Sequence, residues 1–225
     1  MPWIPNTQSL IHQVIILDKS GSMSSIAATT IAGFNEQVQT LRLLEQENPN
    51  QKYIVTLVTF NHRVETILYA RPVKDLQPLT LDSYQPNGTT ALNDAIGLTM
   101  VRIEGEGKEE LANKDNSVVV VIFTDGCENS SQTEFKDGER VTALIERLQK
   151  TEQFTFTYVG ANQNVREVAR NLGIPFSNAL KYSATDNGTR TAFDKLRSAT
   201  ISYSNKVARG EAKSLLKEDF FDEKE

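Results

Sequence analysis

The sequence predicts an α/β fold, an open and mostly parallel sheet of six strands with helices on both faces. Three observations carry that prediction. Short continuous runs of apolar, largely β-branched residues, "VIIL" at Val14 to Leu17 and "VVVVIF" at Val118 to Phe123, have the character of strands covered on both sides. Segments with apolar residues three and four apart fall between such runs, the spacing of a helix with one buried stripe. The two kinds of segment alternate along the chain, which calls for right-handed helical crossovers between parallel strands.

The elements follow in order. After the first strand, Ile31, Phe34, Val38 and Leu41 mark a helix. Tyr53 to Phe60 reads as a strand, and Asn61-His62 separates it from a second β-like run, Val64 to Tyr69. That is a hairpin signal, so Val64 to Tyr69 is expected as one antiparallel edge strand. Leu92, Ala95, Ile96 and Ile103 mark the next helix, and the polar residues 104 to 116 are expected to form a surface loop. Beyond the Val118 to Phe123 strand come a stripe at Val141, Leu144, Ile145 and Leu148, a strand at Phe154 to Val159, and a stripe at Val165, Val168, Ala169 and Leu172. A last strand is expected within Ile174 to Lys181, and a last helix carries Phe193, Leu196, Thr200, Tyr203 and Val207. The whole is a Rossmann-like sheet. Residues 1–225 are taken as a single domain with its core over about 10–205. The charged tail, 210–225, carries Leu215, Leu216, Phe220 and Phe221 and is read as a short docking helix or a frayed end.

Composition bears on the choice of partner. The 225 residues carry a formal net charge of −5, which argues against nucleic acid or an anionic membrane as the main partner. Cys127 is the only cysteine, so an internal disulfide is impossible and a reducing compartment fits. The opening "MPWIPNTQSLIHQ" lacks a basic stretch followed by an apolar one, and no apolar run approaches the about 18 residues of a membrane span. A cytoplasmic location is expected.

Polar residues gather at element ends in three places: Asp18, Ser20 and Ser22 after the first strand, Thr89 and Thr90 in "NGTTALNDA", and Asp125 in "FTDGCENSS". Open parallel sheets bind ligands beyond the carboxyl ends of their strands, where strand order reverses. The i, i+2, i+4 spacing of Asp18, Ser20 and Ser22 aims three side chains the same way while the chain stays extended. Two carboxylates and three hydroxyls make an all-oxygen set, which suits a hard divalent cation such as Mg²⁺. Taken singly, these residues have plainer readings. Ser22 or Ser24 would cap a helix beginning near Ile26, with Ser25 in the same role, and Asp125 would merely end its strand. Lys19 is expected to be exposed and to point away from the cluster. His62 on a hairpin tip and His12 ahead of the first strand are expected at the surface, Cys127 as a packed thiol, and Asp94 and Glu128 at exposed positions. Asn129, Ser130 and Ser131 read as turn or cap residues.

Together and in this order, "DKSGSM", "NGTTAL" and "FTDG" resemble the metal-ion-dependent adhesion site of the von Willebrand factor A domain family, over roughly residues 10 to 205. That site is built from Asp-x-Ser-x-Ser, a distant Thr and a distant Asp. Thr90 takes the threonine position; Thr89 stands where the family usually has glycine, and the choice between them stays open. The resemblance implies that Asp18, Ser20, Ser22, Thr90 and Asp125 hold Mg²⁺, with Mn²⁺ as a substitute. It implies direct binding by the serine hydroxyls, direct or water-mediated binding by the threonine, and mostly water-mediated binding by the aspartates. A Glu or Asp carboxylate of a partner protein then completes the coordination. With neutral direct ligands the cation keeps its charge toward the open position, so the incoming acid gains a strong contact and no bond need break. The implied protein is a non-catalytic binding module of the stand-alone, intracellular bacterial type.

Two alternatives stand beside it. Haloacid dehalogenase-like phosphatases also end a first strand in Asp-x-Asp-Gly-Thr and have later elements comparable to "TLVTFN" and "FTDGCEN". In that chemistry the first Asp attacks phosphorus and the second protonates the leaving group. Ser20 occupies the second acid's place and is far too weak an acid for the role. The other alternative is a structural subunit whose metal site is silent.

Overall fold

A computed structural model of the chain describes residues 8–161, 164–211 and 218–221. It contains strands β1 (Ser9–Asp18), β2 (Gln51–Phe60), β3 (Val64–Pro72), β4 (Ser117–Thr124), β5 (Phe154–Ala161) and β6 (Ala179–Tyr182). They form one sheet in the order β3-β2-β1-β4-β5-β6. Every neighbouring pair is parallel except β2 and β3, the predicted hairpin.

The helices are α1 (Ala27–Glu47), α2 (Leu92–Glu106), α3 (Lys108–Ala112), α4 (Glu139–Gln149), α5 (Val165–Asn171) and α6 (Asp186–Ala208). Side-chain alternation sorts the core into two layers. Ile11, Ile15 and Leu17 of β1, with Val119, Val121 and Phe123 of β4, meet Phe34 and Leu41 of α1 and Phe193 and Leu196 of α6. On the other face Val14 and Ile16, with Val118, Val120 and Ile122, meet Ile96 and Met100 of α2, Ile145 of α4 and Ala169 of α5. Because β1 and β4 are apolar on both faces, they occupy the centre of the sheet. Strand order reverses between them, so a crevice opens beyond their carboxyl ends, where Asp18 and Asp125 stand.

Several local expectations are corrected. β1 begins at Ser9, so His12 lies inside the strand, 2% exposed, with its Nε2 2.8 Å from Thr56 Oγ1. A hydroxyl on the neighbouring strand makes that buried position tolerable for an imidazole. Residues 104 to 116 are helical for most of their length, through the end of α2 and all of α3. Leu111 gives that polar stretch an apolar contact with the second core layer. Ser24 and Ser25 do not cap α1: a 3-10 turn, Gly21–Ile26, precedes the helix, and neither helical start has a side-chain cap. Ser24 Oγ instead donates to the carbonyl of Gly21 at 2.8 Å.

In the tail, Phe220 and Phe221 are buried in the first core layer, and the backbone N–H of Phe220 donates to Asn178 Oδ1 at 2.9 Å. Residues 218–221 form turns rather than a helix. Leu215, Leu216 and the first seven residues lie outside the described residues. Among the described residues no helix is long and apolar enough to cross a membrane.

Candidate metal centre

Asp18 ends β1 with no exposed surface. Its Oδ1 accepts the Ser20 backbone N–H at 2.6 Å, and its Oδ2 accepts the Thr124 hydroxyl at 2.5 Å. The buried Tyr84 hydroxyl donates to the Asp18 backbone carbonyl. Backbone bonds fasten the loop that follows. Lys19 N–H donates to the Phe60 carbonyl at 2.6 Å, Asn87 N–H to the Lys19 carbonyl at 2.9 Å, and Gly21 N–H to the Gly88 carbonyl at 3.0 Å. The backbone so held is extended only as far as Ser20 and, contrary to the expectation of a continuously extended run, enters the 3-10 turn from Gly21. That turn sets Ser20 Oγ and Ser22 Oγ 3.2 Å apart, and Ser22 Oγ donates to Asp125 Oδ1 at 2.6 Å.

Thr90 reaches the same place from the loop before α2. Its N–H donates to Asn129 Oδ1 at 2.9 Å, Asn129 N–H returns a bond to the Thr90 carbonyl at 3.0 Å, and Ala91 N–H donates to the Asn61 carbonyl at 2.7 Å. Thr90 is buried and Thr89 exposed. A single point measures the convergence. A Cβ built on Gly126 would stand 3.1 Å from Thr90 Oγ1, 3.7 Å from Asp18 Oδ2 and 3.8 Å from Ser22 Oγ. Ser20 and Asp125 adjoin that point through Ser22. The five predicted residues therefore come together, with Gly126 backbone forming one wall of the cradle.

The irregular stretch after β4 is held by the start of α2, whose first amides need acceptors. Glu128 Oε2 accepts Asn93 N–H at 2.7 Å, and Ser131 Oγ accepts Asp94 N–H at 3.0 Å. Asp94 in turn accepts Gln132 N–H at 2.8 Å and the Thr133 hydroxyl at 2.5 Å. Asp94 and Glu128 are thus fasteners, Asp94 buried and Glu128 half-buried, where exposed positions were expected. Cys127 is exposed rather than packed, because its neighbours Asp125 and Glu128 take the inward positions of this loop. Lys19 is also not free: its side chain is 11% exposed and its Nζ lies 2.6 Å from Glu65 Oε2. His62 is exposed on the hairpin tip as expected and lies against Gly88.

Electrostatics at the cradle are unbalanced. Burial raises the Asp18 carboxyl from its ordinary 3.8 to about 6; hydrogen bonds from Thr124 and Ser20 oppose the rise, and the Asp125 charge adds to it. Burial also raises Asp125, with the Ser22 hydroxyl working against it. The cradle is thus an all-oxygen pocket of two reluctant carboxylates and three hydroxyls, and a cation would offset the cost of ionising acids held away from water. Among the described residues no three His, Cys, Asp or Glu side chains converge, so hydroxyls supply the remaining donors. Thr124, Tyr84 and Gly126 belong to this site as well. Of the three, Thr124 and Gly126 had a signal in sequence, flanking the motif aspartate; nothing local points to Tyr84.

A family model for the von Willebrand factor type A domain matches residues 13–129, a span that holds all five cradle residues. Among solved structures, the chain is similar to the von Willebrand factor type A protein from Catenulispora acidiphila, at 14% identity and a TM-score of 0.53, covering 86% of this chain and 43% of that one. It is similar to the ArnB paralog VWA2 from Sulfolobus acidocaldarius at 14% identity and TM-score 0.54, covering 84% of this chain and 46% of that one. Proximal thread matrix protein 1 from the mussel byssus, in a structure with a zinc-occupied MIDAS motif, matches at 13% identity and TM-score 0.53, covering 85% of this chain and 46% of that one. At such identities the likeness is one of fold, and this chain spans less than half the length of each of these structures. No curated protein sequence matches it.

Proposed function

The chain belongs to the von Willebrand factor type A domain family, and we propose that it is a non-catalytic, metal-dependent protein-binding module. Ser20, Ser22 and Thr90 would hold Mg²⁺ through their hydroxyls, while Asp18 and Asp125 would orient its water ligands and balance its charge. The metal supplies one thing when bound: a positive open position that an acidic side chain of a partner protein can fill. The observation that carries this reading is the approach of Thr90 Oγ1, Asp18 Oδ2 and Ser22 Oγ to one point beside Gly126. The donor set supports Mg²⁺ over a softer metal, since oxygen is the preferred donor of hard cations. The buried Ser20 supports binding over phosphoryl chemistry, because a hydroxyl stands where a general acid would be needed. A lone exposed thiol is compatible with the reducing cytoplasm in which we place the protein.

The reading is tested by affinity capture from a lysate with the wild type and Asp18→Ala, each in Mg²⁺ and in EDTA. Capture of a partner by the wild type in Mg²⁺ alone is the expected result. A partner retained by the variant and in EDTA would put the binding surface elsewhere.

A further inference from the structure

We propose that Thr124 is a positioning residue of the metal cradle, the hydroxyl that ties its two acidic arms together; this rests on the metal-binding reading above. Thr124 ends β4 with no exposed surface. Its Oγ1 lies 2.5 Å from Asp18 Oδ2 and 3.1 Å from the N–H of Gly126. An ionised carboxylate only accepts and an amide N–H only donates, so the hydroxyl proton goes to Asp18 and the oxygen lone pair to Gly126. One side chain thereby bonds to the last residue of β1 and to the first turn after β4.

The consequence is geometric. With Oδ1 held by Ser20 N–H at 2.6 Å and Oδ2 held by Thr124, the Asp18 carboxylate cannot swing about its χ angles. With its N–H held, Gly126 keeps its Cα in the position that brings the cradle wall close to Thr90 Oγ1. Thr124 need not touch the ion to set the arrangement that receives it. Partners that orient metal-binding groups commonly matter to affinity about 10- to 100-fold. Valine keeps the shape and β-branching that β4 requires but offers neither donor nor acceptor. Serine restores both and gives up one methyl.

The test is Mn²⁺ affinity by titration calorimetry for the wild type, Thr124→Val, Thr124→Ala and Thr124→Ser, with melting curves of each in EDTA. Thr124→Val and Thr124→Ala are expected to weaken Mn²⁺ binding by about tenfold or more, and Thr124→Ser to return it close to the wild-type value. A purely structural role would lower the melting temperature in EDTA and leave affinity unchanged in the variants that fold. If the wild type binds Mn²⁺ and Thr124→Val or Thr124→Ala binds it equally well, this inference falls and the metal-binding reading stands. If the wild type binds none, both fall. Failure of Thr124→Ser to restore affinity would likewise overturn the assignment to the hydroxyl.

Discussion

In metal-free protein, Asp18→Asn is predicted to stabilise the fold near neutral pH. The Asp18 carboxyl ionises near pH 6 when folded, against an ordinary value of 3.8, chiefly because it is buried. Keeping it ionised at pH 7 therefore costs the folded state about 3 kcal/mol relative to the unfolded chain. The sign follows from the direction of the shift. The folded state holds its proton more tightly, so the contribution of this carboxyl to stability is most favourable below about pH 4 and is lost as pH rises through about 6. Asparagine removes the charge and keeps the shape. Its amide oxygen can accept from Ser20 N–H, and its amide nitrogen can donate to Thr124 Oγ1, whose own proton then has the Gly126 carbonyl within 3.2 Å. The gain at pH 7 should approach about 3 kcal/mol, some 6–12 °C in Tm for a chain of this size. It should shrink toward zero at pH 4. The assay is paired urea or thermal unfolding in EDTA between pH 4 and 7.5, read as the difference between variant and wild type so that other carboxylates cancel. Mg²⁺ should then raise the stability of the wild type and leave the variant unmoved. A variant no more stable than the wild type at pH 7 in EDTA would refute the claim that Asp18 is a strained, cation-seeking carboxylate.

The remaining predictions concern the other side chains at the cradle. Thr90→Ala should weaken Mn²⁺ binding severalfold or more by calorimetry, whereas Thr89→Ala, at an exposed position, should leave it unchanged; the reverse result would move the ligand by one residue. Gly126→Ala should reduce Mn²⁺ affinity with little loss of fold, because its Cβ would press on Thr90 Oγ1 at 3.1 Å and fill the space between the donors. Unaltered Mn²⁺ titration of that variant would show that the cation, if bound, sits elsewhere.

Much of the architecture is legible in residue order. The two runs apolar on both faces, Val14 to Leu17 and Val118 to Phe123, lie at the centre of the sheet because only central strands can cover both faces. Asn61-His62 marks the hairpin because a polar tip between two β-like runs leaves little else to do. What escapes is decided by contacts far apart in sequence. His12 looks like a surface residue until Thr56 appears on the next strand to take its ring nitrogen. Residues 104 to 116 look like a loop because one apolar residue, Leu111, is enough to seat α3. The site divides the same way. Asp18, Ser20, Ser22, Thr90 and Asp125 are readable because their types and order form a recognisable set. Asp94 and Glu128 are not, because their work is to receive backbone N–H groups from another segment, and that leaves no pattern in the chain.

The central claim is that these five side chains hold a divalent cation. Its most direct test is calorimetric titration of Mn²⁺ into the wild type and Asp125→Ala. One binding site in the wild type and none in the variant is the predicted result. Equal binding by both proteins would contradict it.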